Sequence, residues 1–342
     1  MSGSINRRFC TAPMMDWSDK NCRFFWRQLT KQTLLYTEMV TTGALIHGPR
    51  ERFLNYHDIE HPIALQVGGS DPSELAQCAK FAKQWGYDEI NLNVGCPSDR
   101  VQNNMIGACL MAHPTLVAEC IKAMQDATDI DVTIKHRIGI DDNDSYEEMR
   151  DFVATVAATG CTTFIVHARK AVLKGLSPKE NRDVPPLRYD DVYRLKNEFP
   201  ELEIIINGGI NSHEQALTML EYVDGVMLGR EAYQNPSILL DADRLYFDNH
   251  NFNKDNVTEI TAADQLIDNS ADRKAAAIRA LYPYIEDALN NGATLNHISR
   301  HTLGLFHGLP GARVYRRFLS ENAFKPTAGV HTLEEGLRAL GL

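Results

Sequence analysis

Apolar runs of four to six residues recur along the chain, separated mostly by amphipathic stretches of helical period. The strand-like runs are Phe9–Met14, Leu34–Thr37, Ile63–Val67, Glu89–Asn93, Val132–His136, Phe164–His167, Ile204–Asn207 and Gly225–Leu228. Helical period marks Asp19–Thr30, Pro72–Trp85, Pro114–Ala127, Ser145–Thr159, Tyr189–Asn197 and Ser212–Leu220. Ser145 and Glu148 have the spacing of a capping box, and Pro72 and Pro114 stand where a first helical turn tolerates proline. Eight strands alternating with helices predict an α/β fold, the (β/α)8 TIM barrel. A doubly wound open sheet would have fewer strands and a glycine-rich loop after its first strand, and the sequence lacks that loop. The alternation ends near Leu228 plus one helix over Glu231–Leu240. Residues 241–270 read as a polar, acidic connection with room for one short helix, and Ala271–Gly304, Arg313–Leu319 and Leu333–Leu340 read as helical. The expected division is a barrel domain over 1–242, then a linker and an all-helical C-terminal domain over 243–342.

Chemistry in such a barrel gathers at the C-terminal ends of the strands. There the run Ile90–Val94 stops in Gly95-Cys96-Pro97, which delivers one cysteine to a sharp turn, as a nucleophile, a thiol acid or an inert thiol. Other strand ends carry Met14 and Met15, able to pad a flat ring or simply to fill core, and Gln66, which needs hydrogen-bond partners. Lys135 lies inside a strand, where a cation is costly unless it meets an anion, and His167 closes another. Asn207-Gly208-Gly209 and Gly229-Arg230 end the seventh and eighth strands, where barrels often hold a phosphate on backbone N–H groups. Together they outline a phosphorylated flat ring. Lys135 and Gln66 contact the ring, Met14 and Met15 cover it, and Gly208, Gly209, Gly229 and Arg230 hold the phosphate. FMN fits that outline, and a cation near its N1–O2 edge would stabilise the reduced form. No dinucleotide fingerprint is present, so a nicotinamide cofactor would visit the same face transiently.

With 342 residues the chain is long enough for a barrel of about 250 residues plus a smaller domain. Its apolar runs are too short for a membrane helix, and Met1–Arg8 lacks an apolar signal region, so a cytoplasmic protein without a membrane partner is expected. The seven cysteines are odd in number and include no C-x-x-C pair, which argues against a disulfide framework and against a metal site. The net charge of −10 speaks against nucleic acid, but the charge is uneven. Phe164–Arg188 holds six basic and two acidic residues, and Ala276–Ser320 holds five arginines against two acids. These are either solvated faces or a confined contact for a polyanion.

Taken in order, Ala12-Pro13-Met14, the Gln66 strand, Leu92-Asn93-Val94-Gly95-Cys96-Pro97, Lys135 with Arg137, His167-Ala168-Arg169, Asn207-Gly208-Gly209 and Gly229-Arg230 resemble the tRNA-dihydrouridine synthase family from about Phe9 to Leu342. Thr37–Gly43, Gly175–Arg182 and Gly229–Pro236 are similar to its bacterial A-type members. His136 departs from the pattern, standing where a smaller residue is expected. The resemblance implies reduction of the uridine C5=C6 bond at D-loop positions 20 and 20a of tRNA, with bound FMN and with NADPH as reductant. It implies FMN contacts from Pro13, Met14, Met15, Gln66, Lys135, His167, Asn207, Gly208, Gly209, Gly229 and Arg230. Hydride would reach C6 from reduced FMN, and Cys96 would protonate C5, a suitable task for a thiol, which is mostly protonated at neutral pH. Asn93 would hold the uracil edge, and Lys135 and Arg137 would stabilise charge on flavin and substrate. Flipping the uridine out of folded tRNA costs a few kcal/mol, which backbone contacts must offset. Arg169, Lys179 and Arg182 would meet tRNA on one side, and Arg300, Arg313, Arg316 and Arg317 of the helical domain on the other. The family also implies a monomer. A flavin dehydrogenase acting on free pyrimidines would share the barrel but has no need of a basic helical C-terminus. A non-catalytic tRNA-binding barrel would be colourless.

Overall fold

The computed structural model describes residues 5–98, 105–248 and 271–342. Eight parallel strands follow one another around a barrel: β1 (Phe9–Thr11), β2 (Leu35–Tyr36), β3 (Ile63–Gly68), β4 (Glu89–Val94), β5 (Asp131–Arg137), β6 (Thr163–His167), β7 (Glu203–Asn207) and β8 (Gly225–Leu228). Each pairs with its chain neighbours, β8 pairs with β1, and a bridge between Cys10 and Leu34 brings β1 against β2. All eight strand-like runs of the sequence have become strands. β1 is shorter than its apolar run because Pro13 has no N–H to continue the ladder; Ala12 N makes the last bond, to Leu228 O at 2.7 Å. A further strand, Val40–Thr41, pairs with the end of β3 and leads into helices Thr42–His47 and Arg50–Leu54. None of the three exceeds six residues, too short for a period to register in the sequence.

The helices between strands begin where their caps dictate. Asp71 accepts from Ser73 N and Glu74 N ahead of Pro72–Gln84. Ser145 and Glu148 exchange hydrogen bonds as a capping box ahead of Tyr146–Ala157. The stretch Ala271–Gly304 is interrupted rather than continuous, forming Ala271–Arg279, Tyr282–Asn290 and Leu295–Ser299. Pro283 cannot sit inside a helix and so opens a new one, and Gly292, at φ 84°, ends it. Glu231–Leu240 likewise divides into Arg230–Gln234 and a 3-10 turn, Pro236–Asp241, with Pro236 at the break. Ala242–Tyr246 is a short helix in the acidic connection; residues 249–270 of that connection lie outside the described residues.

The described residues of Met1–Met15 and Leu34–Gly229 form one compact unit, and those of Asp16–Thr33 and Arg230–Leu342 form another. The second unit therefore includes helix Lys20–Leu29, which follows β1 in the chain. Within that unit Asp19 caps this helix and also accepts from Arg300 at 2.6 Å, and Trp17 stacks on Tyr233 with centroids 4.4 Å apart. Among the described residues no helix is long and apolar enough to cross a membrane, and no group of three or more acidic, histidine or cysteine side chains could hold a metal.

The lumen of the barrel unit has two chemistries. Cys10, Ala12, Leu34, Tyr36, Ala64, Ile165, Ile205 and Met227 form an apolar cluster. β4 instead points Glu89, Asn91 and Asn93 to one side, alternating with apolar Ile90, Leu92 and Val94. Thr133 of β5 lies opposite Asn91, and Lys135 opposite Asn93.

Candidate active site

β4 ends in the turn that carries Cys96, and local hydrogen bonds fix that turn. The Asn93 side-chain oxygen accepts from Gly95 N at 3.0 Å and Cys96 N at 2.9 Å. From the other side Ala108 N donates to Cys96 O at 2.9 Å. Only glycine fits at position 107: its φ is 85°, and a Cβ there would lie 2.4 Å from Cys96 O. Cys96 and Cys109 are half-buried, while the other five cysteines are buried, and all seven are free thiols. The Asn93 amide donates to Gln66 Oε1 at 2.8 Å, so the two polar strand ends read from the sequence are one hydrogen-bonded unit. Gln66 N in turn donates to the Thr37 hydroxyl at 3.0 Å.

Register places Arg137, His167 and Asn207 in one row across β5, β6 and β7. Lys135 reaches into that row, donating to Asn207 Oδ1 at 3.0 Å, and Asn207 donates to Met227 O at 2.8 Å. Burial, and then Arg137, push the Lys135 ammonium down to about 7. Burial pushes His167 well below the ordinary imidazole range, helped by Arg137, Lys135 and Arg169, so it is neutral at pH 7. Arg137 is 3% exposed and, among the described residues, donates to three backbone carbonyls: Gly95 at 2.9 Å, Lys170 at 3.0 Å and Asn181 at 3.0 Å. It therefore ties the Cys96 turn to the loop after β6. Burial lowers its guanidinium to about 10. Among the described residues neither Lys135 nor Arg137 has a carboxylate partner.

Buried Asn181 organises that loop, donating to Val172 O, Leu176 O and Ser177 O and accepting from Val172 N. Lys179 and Arg182 are exposed on it, and Arg169 donates to Pro185 O at its base. In the same basic region Lys170 and Arg188 both pair with Asp144. Gly208, at φ 122°, packs against the His167 ring so closely that a Cβ would lie 2.8 Å from it. Tyr189 donates to Gly208 O at 2.7 Å. Gly229 faces Ala12 and Met14, with space for a Cβ at 3.7–3.8 Å. Met14 packs on the apolar lumen, whereas Met15 is 59% exposed.

In the helical unit Arg230 opens helix Arg230–Gln234. Arg300 is committed to Asp19, and Arg317 pairs with Glu321 at 2.8 Å on the surface. Arg313 and Arg316 are exposed on the same helix, Ala312–Asn322, and among the described residues have no carboxylate within ion-pair distance. The barrel unit carries a donor set of the kind a flavin mononucleotide needs. Lys135 and Arg137 lie together without a carboxylate partner among the described residues, with amide groups and a glycine-lined strand end nearby in register, and such a donor set suits an anionic, heteroatom-rich ring and its phosphate. The sequence reading missed Thr37, Asn91, Thr133, Asn181 and Tyr189. For Asn91 a signal existed: Glu89, Asn91 and Asn93 alternate with apolar residues, and alternation in a barrel strand puts all three in the lumen.

The chain is similar to known proteins along nearly its whole length. The family model described as Dihydrouridine synthase (Dus) matches residues 10–339. The tRNA-dihydrouridine(20/20a) synthase of Escherichia coli (strain K12) is 58% identical over 332 residues, covering 97% of this chain and 91% of the relative. The protein of the same name from Yersinia pestis is 59% identical over 332 residues, covering 97% and 91%. That of Pseudomonas syringae pv. tomato is 54% identical over 336 residues, covering 98% and 95%.

Proposed function

The chain belongs to the dihydrouridine synthase family, and on that premise we propose that it reduces D-loop uridines 20 and 20a of tRNA to 5,6-dihydrouridine, with FMN as its bound flavin and NADPH as reductant. The observation that carries the reading is the half-buried Cys96 thiol on a fixed turn, tied through Gly95 to a buried arginine that has no carboxylate partner among the described residues. The flavin that these residues would hold would, once reduced by NADPH, supply hydride chemistry at C6. Negative charge then develops toward C5 and O4 of the uracil, and the residues of this chain complete the reaction. Cys96 Sγ–H gives its proton to C5, which saturates the C5=C6 bond. Asn93 holds the uracil edge beside that thiol. Lys135, whose ammonium burial pushes down to about 7, gains charge when an anion arrives, and with Arg137 it stabilises the ring system. His167, neutral, offers a hydrogen bond rather than a charge. Pro13, Met14, Met15, Gln66 and Asn207 surround the ring; Gly208, Gly209, Gly229 and Arg230 hold the phosphate.

Arg169, Lys179 and Arg182 meet the tRNA backbone, and so do Arg300, Arg313, Arg316 and Arg317; of these last four, Arg313 and Arg316 have charge uncommitted among the described residues. The protein works as a cytoplasmic monomer. The test is to incubate the purified holoprotein with NADPH and tRNA lacking dihydrouridine, then map the product by mass spectrometry. Dihydrouridine at positions 20 and 20a is the expected result. NADPH oxidation with unchanged tRNA would overturn the tRNA assignment and direct attention to free pyrimidines.

A further inference from the structure

One continuous chain of hydrogen bonds crosses the barrel lumen, from the N-terminal end of β4 to the cysteine turn. The Glu89 carboxylate, 0% exposed, accepts from Arg7 Nε at 2.7 Å, the Tyr36 hydroxyl at 2.6 Å and the Thr133 hydroxyl at 2.5 Å. The Thr133 oxygen accepts from Asn91 Nδ2 at 2.8 Å. Asn91 Oδ1 accepts from Gln66 Nε2 at 2.8 Å, and Gln66 Oε1 accepts from Asn93 Nδ2 at 2.8 Å. Asn93 Oδ1 then takes the backbone N–H groups of Gly95 and Cys96.

The ends of this chain have opposite and fixed polarity. A carboxylate here only accepts, and a backbone N–H only donates. Reversing any one amide between them sets N–H against N–H on one side and oxygen against oxygen on the other. One orientation therefore satisfies all three amides, and in it every N–H and O–H points toward Glu89. Three buried amides in a lumen are costly unless paired, so the chain resists local relaxation.

We infer that Glu89, Thr133 and Asn91 are positioning residues for the Cys96 site, which they act on through Gln66 and Asn93. This builds on the functional reading above. With Asn93 Oδ1 committed to two backbone donors, what Asn93 and Gln66 retain for a ligand is a second N–H each. The chain thus presents donors, which suit a carbonyl oxygen of a pyrimidine or a flavin and repel an amino group.

Thr133 is the link to cut, because it carries no charge and leaves the Arg7 ion pairs intact. In the flavin-free protein, side-chain amide hydrogen exchange followed by NMR should show one protected Nδ2 proton on Asn93 in wild type and in Thr133→Ser. Exchange in Thr133→Val should be at least tenfold faster. In the holoprotein, reduction of tRNA by pre-reduced enzyme should slow at least tenfold in Thr133→Val and recover in Thr133→Ser, at saturating tRNA and so in kcat rather than KM. Thr133→Ala gives the same comparison should the valine variant not accumulate folded. Exchange and turnover within twofold of wild type in the valine or alanine variant would overturn the inference, and so would a serine variant as impaired as valine. If wild type leaves tRNA unreduced, the functional reading falls, and amide exchange alone still decides whether the hydroxyl orients Asn93.

Discussion

The two ends of the barrel treat a buried cation in opposite ways. At the N-terminal end Arg7, 4% exposed, meets three carboxylates that each open a strand: Glu89 of β4, Asp131 of β5 and Glu203 of β7. Burial works against its charge, but Glu89 and Glu203 more than compensate and raise it above the ordinary arginine value. At the C-terminal end Lys135 and Arg137 lie in comparable surroundings without a carboxylate among the described residues, and both are lowered. A protein selected only to fold would neutralise both ends. The first end is closed and serves stability; the second holds positive charge that no carboxylate meets among the described residues, and so is poised for an anion supplied from outside.

Breaking the closed end should have the largest effect on folding. Arg7→Ala leaves Glu89 buried beside Tyr36 and Thr133 without its cation, and should cost about 3–5 kcal/mol in urea unfolding. A cost under about 1 kcal/mol would mean that the cluster contributes little. Next in size is an acid effect from His136, which is fully buried between Phe152 and Phe164 and pushed down to about 4 by loss of hydration. A lowered histidine value means that the folded state resists the proton. Its stabilisation is complete above pH 6.5 and is lost as pH falls toward 4, up to about 3 kcal/mol. His136→Gln should flatten that part of the stability profile; an unchanged profile would assign the acid loss elsewhere.

The open end should respond with the opposite sign. Lys135→Met removes a buried cation that no carboxylate compensates among the described residues, so the flavin-free protein should unfold at the same or a higher temperature, while FMN affinity falls about 10- to 100-fold by equilibrium titration. Loss of stability together with unchanged affinity would erase the contrast between the two ends. The smallest effects belong to the helical unit. Arg313→Ala and Arg316→Ala should each lower tRNA affinity several-fold and reduce the salt slope by about 1, with stability within about 0.5 kcal/mol. Arg317→Ala removes only an exposed pair with Glu321 and should do less.

What the sequence disclosed follows the same division. The Cys96 turn is local: an apolar run, then Gly-Cys-Pro, and the strand ends with Gly208 and Gly229 are local too. Arg7 is different, since its partners lie 82, 124 and 196 positions away, and no spacing rule connects them before the barrel closes. Arg137 reads from the sequence as a substrate contact, and the fold adds that its Nε and Nη1 donate to carbonyls on two loops, one of which Asn181 organises. That role depends on how Lys170–Arg182 folds back, which periodicity does not encode. The segment Asp16–Thr33 follows β1 in the chain yet belongs to the helical unit, because its Trp17, Asp19 and Asn21 find partners at Tyr233, Arg300 and Tyr284.

The most direct test of the account is a single turnover of Cys96→Ala. The holoprotein is reduced, freed of excess NADPH and mixed with tRNA lacking dihydrouridine, and product is quantified by mass spectrometry against time. The account predicts dihydrouridine forming at least a hundredfold more slowly than in wild type, with flavin content and unfolding midpoint unchanged. Product formation at the wild-type rate in the variant would contradict the assignment of the C5 proton to Cys96.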